Sequence, residues 1–443
     1  MTGSDHDTTT GCDAPADDAT GDRAGSERRS KESGSDTTSG DIDATARDAC
    51  EAGLAWARER GYAGWDPYDG LNSPYLAPFR RTWLTRLVGM HLPNRVPLNL
   101  HRPLRIPRER NPKGIALFAL AHLARYEATG ERARLEEAER LLDWLAAHSA
   151  PDFEYPCWGY NFDWQNARQF FLPAYRPSVV VSVFGALAFL EHYRLTGRGE
   201  SLATARGTCE FLTTEINTRT VDGHEAYTYA TDDSFVVVNV NALAARLLGP
   251  VGAAAGDDDL TARADELIAF VRATQEPSGA WHYSVPADSS PISHDNFHTG
   301  FVLESLREYL DATGSAETGE RLGTENPELA ATERAYERGL AFYREHLFEP
   351  DGAPKFEHDR SHPYDAHAAA QSVRTFVRDG RPEQREMARR IVSWSLSNLY
   401  DESGYFYRRR GRLFDDLTPY MRWSQAWMCF ALASYLHSAG GGR

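Results

Sequence analysis

Six glycines divide the chain at nearly regular intervals, and each follows a helical apolar pattern. Gly130, Gly197, Gly249, Gly314, Gly380 and Gly440 are separated by 67, 52, 65, 66 and 60 residues. Two of these ends read Tyr-x-x-Thr-Gly (Tyr126–Gly130 and Tyr193–Gly197), and Tyr309–Gly314 has the same form with one extra residue. Glycine just past the last helical turn lets the backbone turn left-handed and start a partner helix. A supersecondary unit recurring at this period predicts a closed or stacked array of hairpins. Apolar positions recur at three and four residues throughout, and in every second helix the apolar character runs nearly all round, as in FALAHLA, VVVSVFGALAFL, FVVVNVNALAARLL and WSQAWMCFALASYL. Those helices form an inner, fully packed set; their partners, such as ERARLEEAERLLDWLAAH, carry a charged face and belong outside. The predicted fold is all-α: twelve helices in six hairpins, an (α/α)6 toroid forming one domain over residues 42–443.

Residues 1–41 hold ten acids, four bases and almost no hydrophobes, so they cannot offset their ordering entropy; the sequence predicts a disordered acidic tail. Of 443 residues, 64 are Asp or Glu and 48 are Lys or Arg, which gives a net charge of −16 and argues against nucleic acid as a partner. Only Lys31, Lys113 and Lys355 are lysines. An acidic, arginine-rich and lysine-poor chain suits a high-salt (halophilic) cytoplasm, and a GC-rich genome would produce the same bias. There is no run of 18 apolar residues and no apolar segment near the N-terminus, so the expected location is cytoplasmic. Five scattered cysteines without a C-x-x-C argue against a zinc ribbon or a disulfide framework. The chain has no G-x-G-x-x-G, P-loop, H-E-x-x-H or G-x-S-x-G, which removes the usual signals of dinucleotide, nucleotide-hydrolysing and lipase-type chemistry.

The outer-to-inner connections are long and aromatic: residues 62–75, 153–164, 221–234, 279–298, 352–367 and 404–423. In a toroid all six meet at one end, at the N-termini of the inner helices, where free N–H groups and the positive dipole ends gather. Their aromatic and polar residues suggest sugar binding, with rings stacking on a pyranose face and polar side chains meeting its hydroxyls. The candidate binding residues are Trp65, Trp158, Tyr160, Trp164, Trp281, His282, His294, His358, Tyr364, Tyr405, Arg422 and Trp423. Trp and Tyr capping the ends of a helical core would look the same in sequence. For proton transfer the candidates are Asp69, Asp163 and Asp295, in tight aromatic surroundings, together with His298. Asp233 and Asp365 fit helix N-caps instead. His294/His298 and His358/His362 are spaced four apart, but Pro291 and Pro363 place them in loops or first turns; no metal and no cofactor is expected.

Residues 72–111 form a basic strap, with eight arginines (80, 81, 86, 95, 102, 105, 108 and 110) against one acid, Glu109. It suggests an anionic partner, or a basic amphipathic helix that touches a membrane surface through residues 78–91. Alternatively, its arginines pair with the acidic toroid and cover one end of it.

WDPYDGLNS (65–73), NPKGIALF (111–118) and DNFHTGFVLESL (295–306) resemble the VpsJ-type polysaccharide biosynthesis family, over about residues 45–438. The hairpin pattern is similar to the six-hairpin glycosidase and N-acylglucosamine 2-epimerase superfamilies. The resemblance implies a glycan context and supplies no catalytic residues; the arginine strap adds that the oligosaccharide or polysaccharide precursor bound is anionic. With the candidate residues above, the expected reaction is cleavage of a glycosidic bond first and sugar epimerisation second, and similarity to the 2-epimerases implies a facing pair for the latter, His298 with His358 or His367. A non-catalytic glycan-binding or assembly factor at a membrane is the alternative from another class.

Overall fold

The computed structural model describes residues 39–94, 99–167, 170–313 and 326–440. Tail residues 1–38, Arg95 and Gly314 lie outside them, and helix begins at Ser39, three residues before the predicted start at Ile42. The helices are α1 (Ser39–Glu59), α2 (Trp83–His91), α3 (Pro112–Thr129), α4 (Arg132–Ala147), α5 (Val179–Thr196), α6 (Gly199–Thr214), α7 (Val238–Ala255), α8 (Asp258–Ala273) and α9 (Asn296–Thr313). They continue as α10 (Pro327–His346), α11 (Ala366–Asp379), α12 (Pro382–Asn398) and α13 (Trp427–Gly440).

Helices α3, α5, α7, α9, α11 and α13 each touch the next, and α13 returns to α3, so the inner ring is closed. Each of the first five packs against the outer helix that follows it, while α1 packs against α13. This is the (α/α)6 toroid. Helix α5 is long and apolar enough to cross a bilayer, yet it is buried in the ring between α3 and α7. Gly130, Gly197 and Gly380 end α3, α5 and α11 in the left-handed region, at φ 70°, 71° and 75°. Gly249 does not end its helix. The chain stays helical through Gly249 and Pro250 to Ala255, and Gly256 at φ 66° supplies the turn. Val251 and Gly252 after Pro250 are buried, so the next turn still packs and one lost backbone hydrogen bond does not stop the helix. Moving this end by seven residues evens out the repeat.

The strap is a 3₁₀ stretch, Pro74–Arg81, followed by α2, which a Thr82–Thr85 capping box starts. The WDPYDGLNS segment clamps it. Trp65 donates its indole N–H to the Ile106 carbonyl at 3.0 Å, Ser73 Oγ donates to Leu104 O at 2.6 Å, and Asn72 Nδ2 reaches Glu109 and the Asn161 carbonyl. A Cβ on Gly70 would lie 2.4 Å from the Gly89 carbonyl oxygen, so only glycine admits α2 this closely. Among the described residues, Arg80 alone of the strap arginines pairs with a carboxylate, Asp163 at 3.7 Å. The expectation that the strap is neutralised by the acidic toroid therefore fails; its arginines mostly bind backbone carbonyls or lie over aromatic rings.

Candidate functional site

The first turns of five inner helices, and the π-helical turn Met421–Ala426 that leads into α13, surround a cavity of about 980 Å³. Long connections rise around its mouth, with His91, Pro93 and Asn99 of the strap on one side and Phe414 to Arg408 on another. Tyr68, Tyr160, Phe162, Trp164, Tyr229 and Tyr283 form its aromatic wall.

Asp295 caps α9: its Oδ1 accepts the His298 N–H at 2.9 Å, and its Oδ2 lies 2.7 Å from His298 Nδ1. A carboxylate at that distance favours the tautomer with the proton on Nδ1, which leaves Nε2 as a base. The His298 ring is held by Phe297 and Tyr283, at 3.8 and 4.4 Å between centroids. Phe297 also stacks on His367, at 4.6 Å, so one ring separates two imidazoles that both line the cavity. His367 is buried between Phe297 and Trp427, and neither of its ring nitrogens has a hydrogen-bond partner. Burial and then the Lys113 ammonium pull its pKa well below the usual imidazole value, so it is neutral at pH 7.

Lys113, in the first turn of α3, is buried with its ammonium over Phe184, Trp427 and Phe301 at 4.5, 5.3 and 5.4 Å. Among the described residues no carboxylate pairs with it, and burial, then Arg422, lowers its pKa well below the ordinary lysine value. Asn239 Oδ1, in the first turn of α7, is buried without a partner. Two further polar lining groups, Arg422 and Asp365, are held by internal partners. Arg422 is locked on Asp66 by bonds of 2.6 and 2.8 Å, which joins the first connection to the last inner helix. Asp365 caps α11 and accepts the Trp423 indole N–H at 2.8 Å, as its N-cap pattern predicts, and burial raises its pKa.

Of the sequence candidates, Asp295, His298, Tyr160, Trp164, Arg422 and Trp423 line the cavity together. Asp69 does not line it. Asp69 Oδ2 accepts the Asp66 N–H at 2.8 Å, its Oδ1 faces His101 of the strap at 3.3 Å, and burial raises its pKa to about 6. Asp163 lies outside as well, holding the Ala174 N–H at 2.9 Å. Trp65 packs with Ile106, Tyr420 and Trp423 in a small core, while Trp158 and Trp281 are core residues whose indoles donate to Leu145 O and Val271 O, both at 2.9 Å. Tyr364 packs on Trp394 and Tyr405 on Trp56, away from the cavity. His282, His294 and His358 gather in a separate cluster at Glu276, in front of α9. Asp233 is not an N-cap: its Oδ1 accepts the Phe235 N–H in a turn, and Val237 precedes α7. Lys113, Asn239, Phe297 and Arg409 were not among the candidates; a lone lysine in the first turn of an otherwise apolar inner helix was the available signal.

The sequence matches no family model and no curated protein. The fold, however, matches solved structures at low sequence identity. A possible member of the GH105 family from Klebsiella pneumoniae aligns at TM-score 0.57 and 12% identity, over 94% of this chain and 99% of its own. A cellobiose 2-epimerase from Spirochaeta thermophila aligns at 0.55 and 14%, over 74% and 86%. An unsaturated glucuronyl hydrolase specific for heparin aligns at 0.53 and 12%, over 89% and 96%.

Proposed function

We propose that the protein is a carbohydrate-active enzyme that moves a proton on a sugar held in the aromatic cavity, and that epimerisation, with His298 and His367 as the two bases, is its reaction. The carrying observation is the pair of imidazoles on either side of Phe297, one oriented by Asp295 and one neutral with both nitrogens unbonded. Glycoside hydrolysis needs two available carboxyl groups. Here Asp295 is bound to His298, Asp365 to Trp423, Asp415 to Arg410 and Asp416 to Arg408. In the proposed reaction His298 Nε2 removes a proton from the carbon beside the sugar carbonyl, and neutral His367 gives its ring N–H proton to the other face while its second nitrogen takes one from water, the hydroxide left being neutralised by the proton on His298. The neighbouring folds named as a cellobiose 2-epimerase and a heparin-specific glucuronyl hydrolase support a glycan substrate. The VpsJ-type resemblance supports a role in polysaccharide biosynthesis. Lys113 and Arg409, basic cavity side chains that form no ion pair among the described residues, support an anionic substrate.

The test is turnover of acidic and neutral oligosaccharides in D₂O, followed by NMR. Deuterium at the carbon beside the carbonyl, lost in His298→Gln and His367→Asn, supports epimerisation. Bond cleavage without deuterium uptake in uncleaved sugar refutes it in favour of hydrolysis. Binding with no turnover in any sugar leaves the assembly-factor reading.

A further reading concerns where this happens. Among the described residues, the large apolar side chains left exposed are all on three segments that also wall the cavity: Tyr75, Trp83, Leu84 and Val88; Phe171 and Tyr175; and Leu413, Phe414 and Leu417. Exposed Arg81, Arg102, Arg105 and Arg108 accompany the first group. We propose that this rim rests on an anionic membrane, so that a lipid-linked sugar can enter from the surface.

A further inference from the structure

Beside the cavity, three side chains converge that the proposed reaction does not use. Glu276 comes from the turn after α8, and His282 and His294 from the connection to α9. Their donor atoms lie within 4.8 Å of one another. His282 Nε2 is 2.6 Å from Glu276 Oε1, and His294 Nε2 is 3.2 Å from Glu276 Oε2. The second contact lacks the alignment of a hydrogen bond, and His294 Nε2 is buried with no other partner. The two imidazoles face each other at 4.8 Å between centroids, and His358 lies 5.1 Å beyond with a buried, unpartnered Nδ1. The carboxylate is held in place: Ser278 Oγ donates to Glu276 Oε2 at 3.2 Å, and the turn is closed by Glu276 N to Ala280 O at 2.9 Å.

We propose that Glu276, His282 and His294 bind one divalent zinc-class ion. Two imidazole nitrogens and one carboxylate oxygen are a zinc donor set, and bonds of about 2.0–2.2 Å would require the three donors to sit a little over 3 Å apart, so the 2.6 Å Glu276–His282 contact would widen slightly and the widest separation would close. Calcium and magnesium call for all-oxygen sites and do not suit it. The fourth position is open to water, with His358 next to it. The ion is a positioning element. His294 immediately precedes Asp295, so fixing His294 on α8 through Glu276 holds the start of α9 and the Asp295–His298 pair in place. Zinc binding itself stands apart from the reaction proposed above; only the effect on turnover rests on that reading.

The experiment uses the full, tag-free chain, stripped with chelator and titrated with zinc chloride by calorimetry, with metal content measured after gel filtration. One equivalent of zinc per chain is expected, and cobalt substitution should produce the visible absorption of a low-coordinate nitrogen–oxygen site. Glu276→Gln and His294→Ala should weaken zinc by more than the roughly 10–100-fold that loss of an outer-shell partner costs. His346→Ala, which removes an exposed histidine outside the set, should leave binding unchanged. Melting of each stripped variant shows whether it folds; if Glu276→Gln or His294→Ala does not, His282→Gln, at a half-buried position, takes its place. Uptake well below one equivalent, or uptake that survives loss of any of the three ligands in a folded variant, overturns the proposal. Failure of epimerisation with stoichiometric zinc retained would sink the function and leave the metal site standing.

Discussion

At the closed end of the ring, Arg246 on α7 meets Glu304 and Glu308 on α9 at 3.0 and 2.5 Å, and Glu304 also takes Arg374 of α11 and, at 2.8 Å, Gln371. At the mouth, the first turns of the same ring hold Lys113, His367 and Asn239, none of them in an ion pair or a side-chain hydrogen bond. Both ends have a hollow, of about 840 and 980 Å³, lined by all six inner helices at the closed end and by five of them with the Met421–Ala426 turn at the mouth. The difference lies in charge pairing: buried Arg246 meets opposite charge at the closed end, and buried Lys113 at the mouth meets none among the described residues. A charge whose partners come from neighbouring helices closes the ring on itself. A polar group kept dry and unmatched costs stability and is retained only if something else is to match it. That is the physical basis for locating the site at the mouth.

The comparison breaks first at Glu304. Replacing it with Ala leaves Arg246 and Arg374 buried without their shared carboxylate, and should cost about 3–5 kcal/mol of folding stability in denaturant titrations. Ligand affinity in the folded fraction should not change. A cost below about 1 kcal/mol would mean the plug is not what closes that end.

The converse change is at the mouth. Lys113→Met removes a buried cation that has no carboxylate, so the protein should gain about 0.5–2 kcal/mol while losing ligand binding, the usual trade-off at a functional site. His298→Gln should lower turnover by about 10²–10⁴-fold with melting nearly unchanged, whereas Asp69→Asn and Asp163→Asn should turn over like wild type. Loss of turnover in Asp69→Asn with Asp295→Asn unaffected would move the chemistry out of the cavity.

These contrasts mark what the sequence could and could not reveal. The glycines that end α3, α5 and α11 and the all-round apolar helices are local features with one structural meaning each, so the toroid was legible. Gly249 misled because Gly-Pro reads as a stop wherever the next turn's burial is unknown. At the site, Asp295 and His298 were legible because an N-cap fixes its own neighbour at three residues. Trp65, Trp158 and Trp281 were not separable from Trp164 and Trp423, because an indole at a helix end can as well donate to a core carbonyl as face a cavity. Asp69 and Asp163 spend their carboxylates on backbone N–H groups several residues away, which no spacing rule announces.

Acid separates the two ends by pH window. At the mouth burial holds His367 neutral. As pH falls below about 6.5 the unfolded chain takes up a proton that this folded imidazole refuses, so stability is lost, by at most about 1.4 kcal/mol per pH unit. Burial works to raise the Glu304 carboxyl, and Arg246 and Arg374 outweigh it and hold it at about 2. Its contribution is therefore complete above about 4.5 and is lost only below that. His367→Phe should flatten the stability profile between pH 6.5 and 4.5, and Glu304→Gln only below 4.5. Identical profiles for the two variants would deny that the ends differ.

The smallest expected effect sharpens the comparison at the surface. If the rim is electrostatically unmatched as the cavity floor is, the unpaired strap arginines should each contribute about 1 kcal/mol to binding of vesicles containing anionic lipid. Arg81→Ala and Arg105→Ala together should then lower vesicle recovery in sedimentation by roughly 30-fold at low salt, with the difference shrinking as salt screens it. Leu84→Ser and Phe414→Ser should weaken recovery at every salt concentration, because apolar insertion is not screened. Recovery that needs the arginines but not Leu84 or Phe414 would identify the strap as a binding surface for a soluble polyanion, and would leave the lipid-linked substrate without a route.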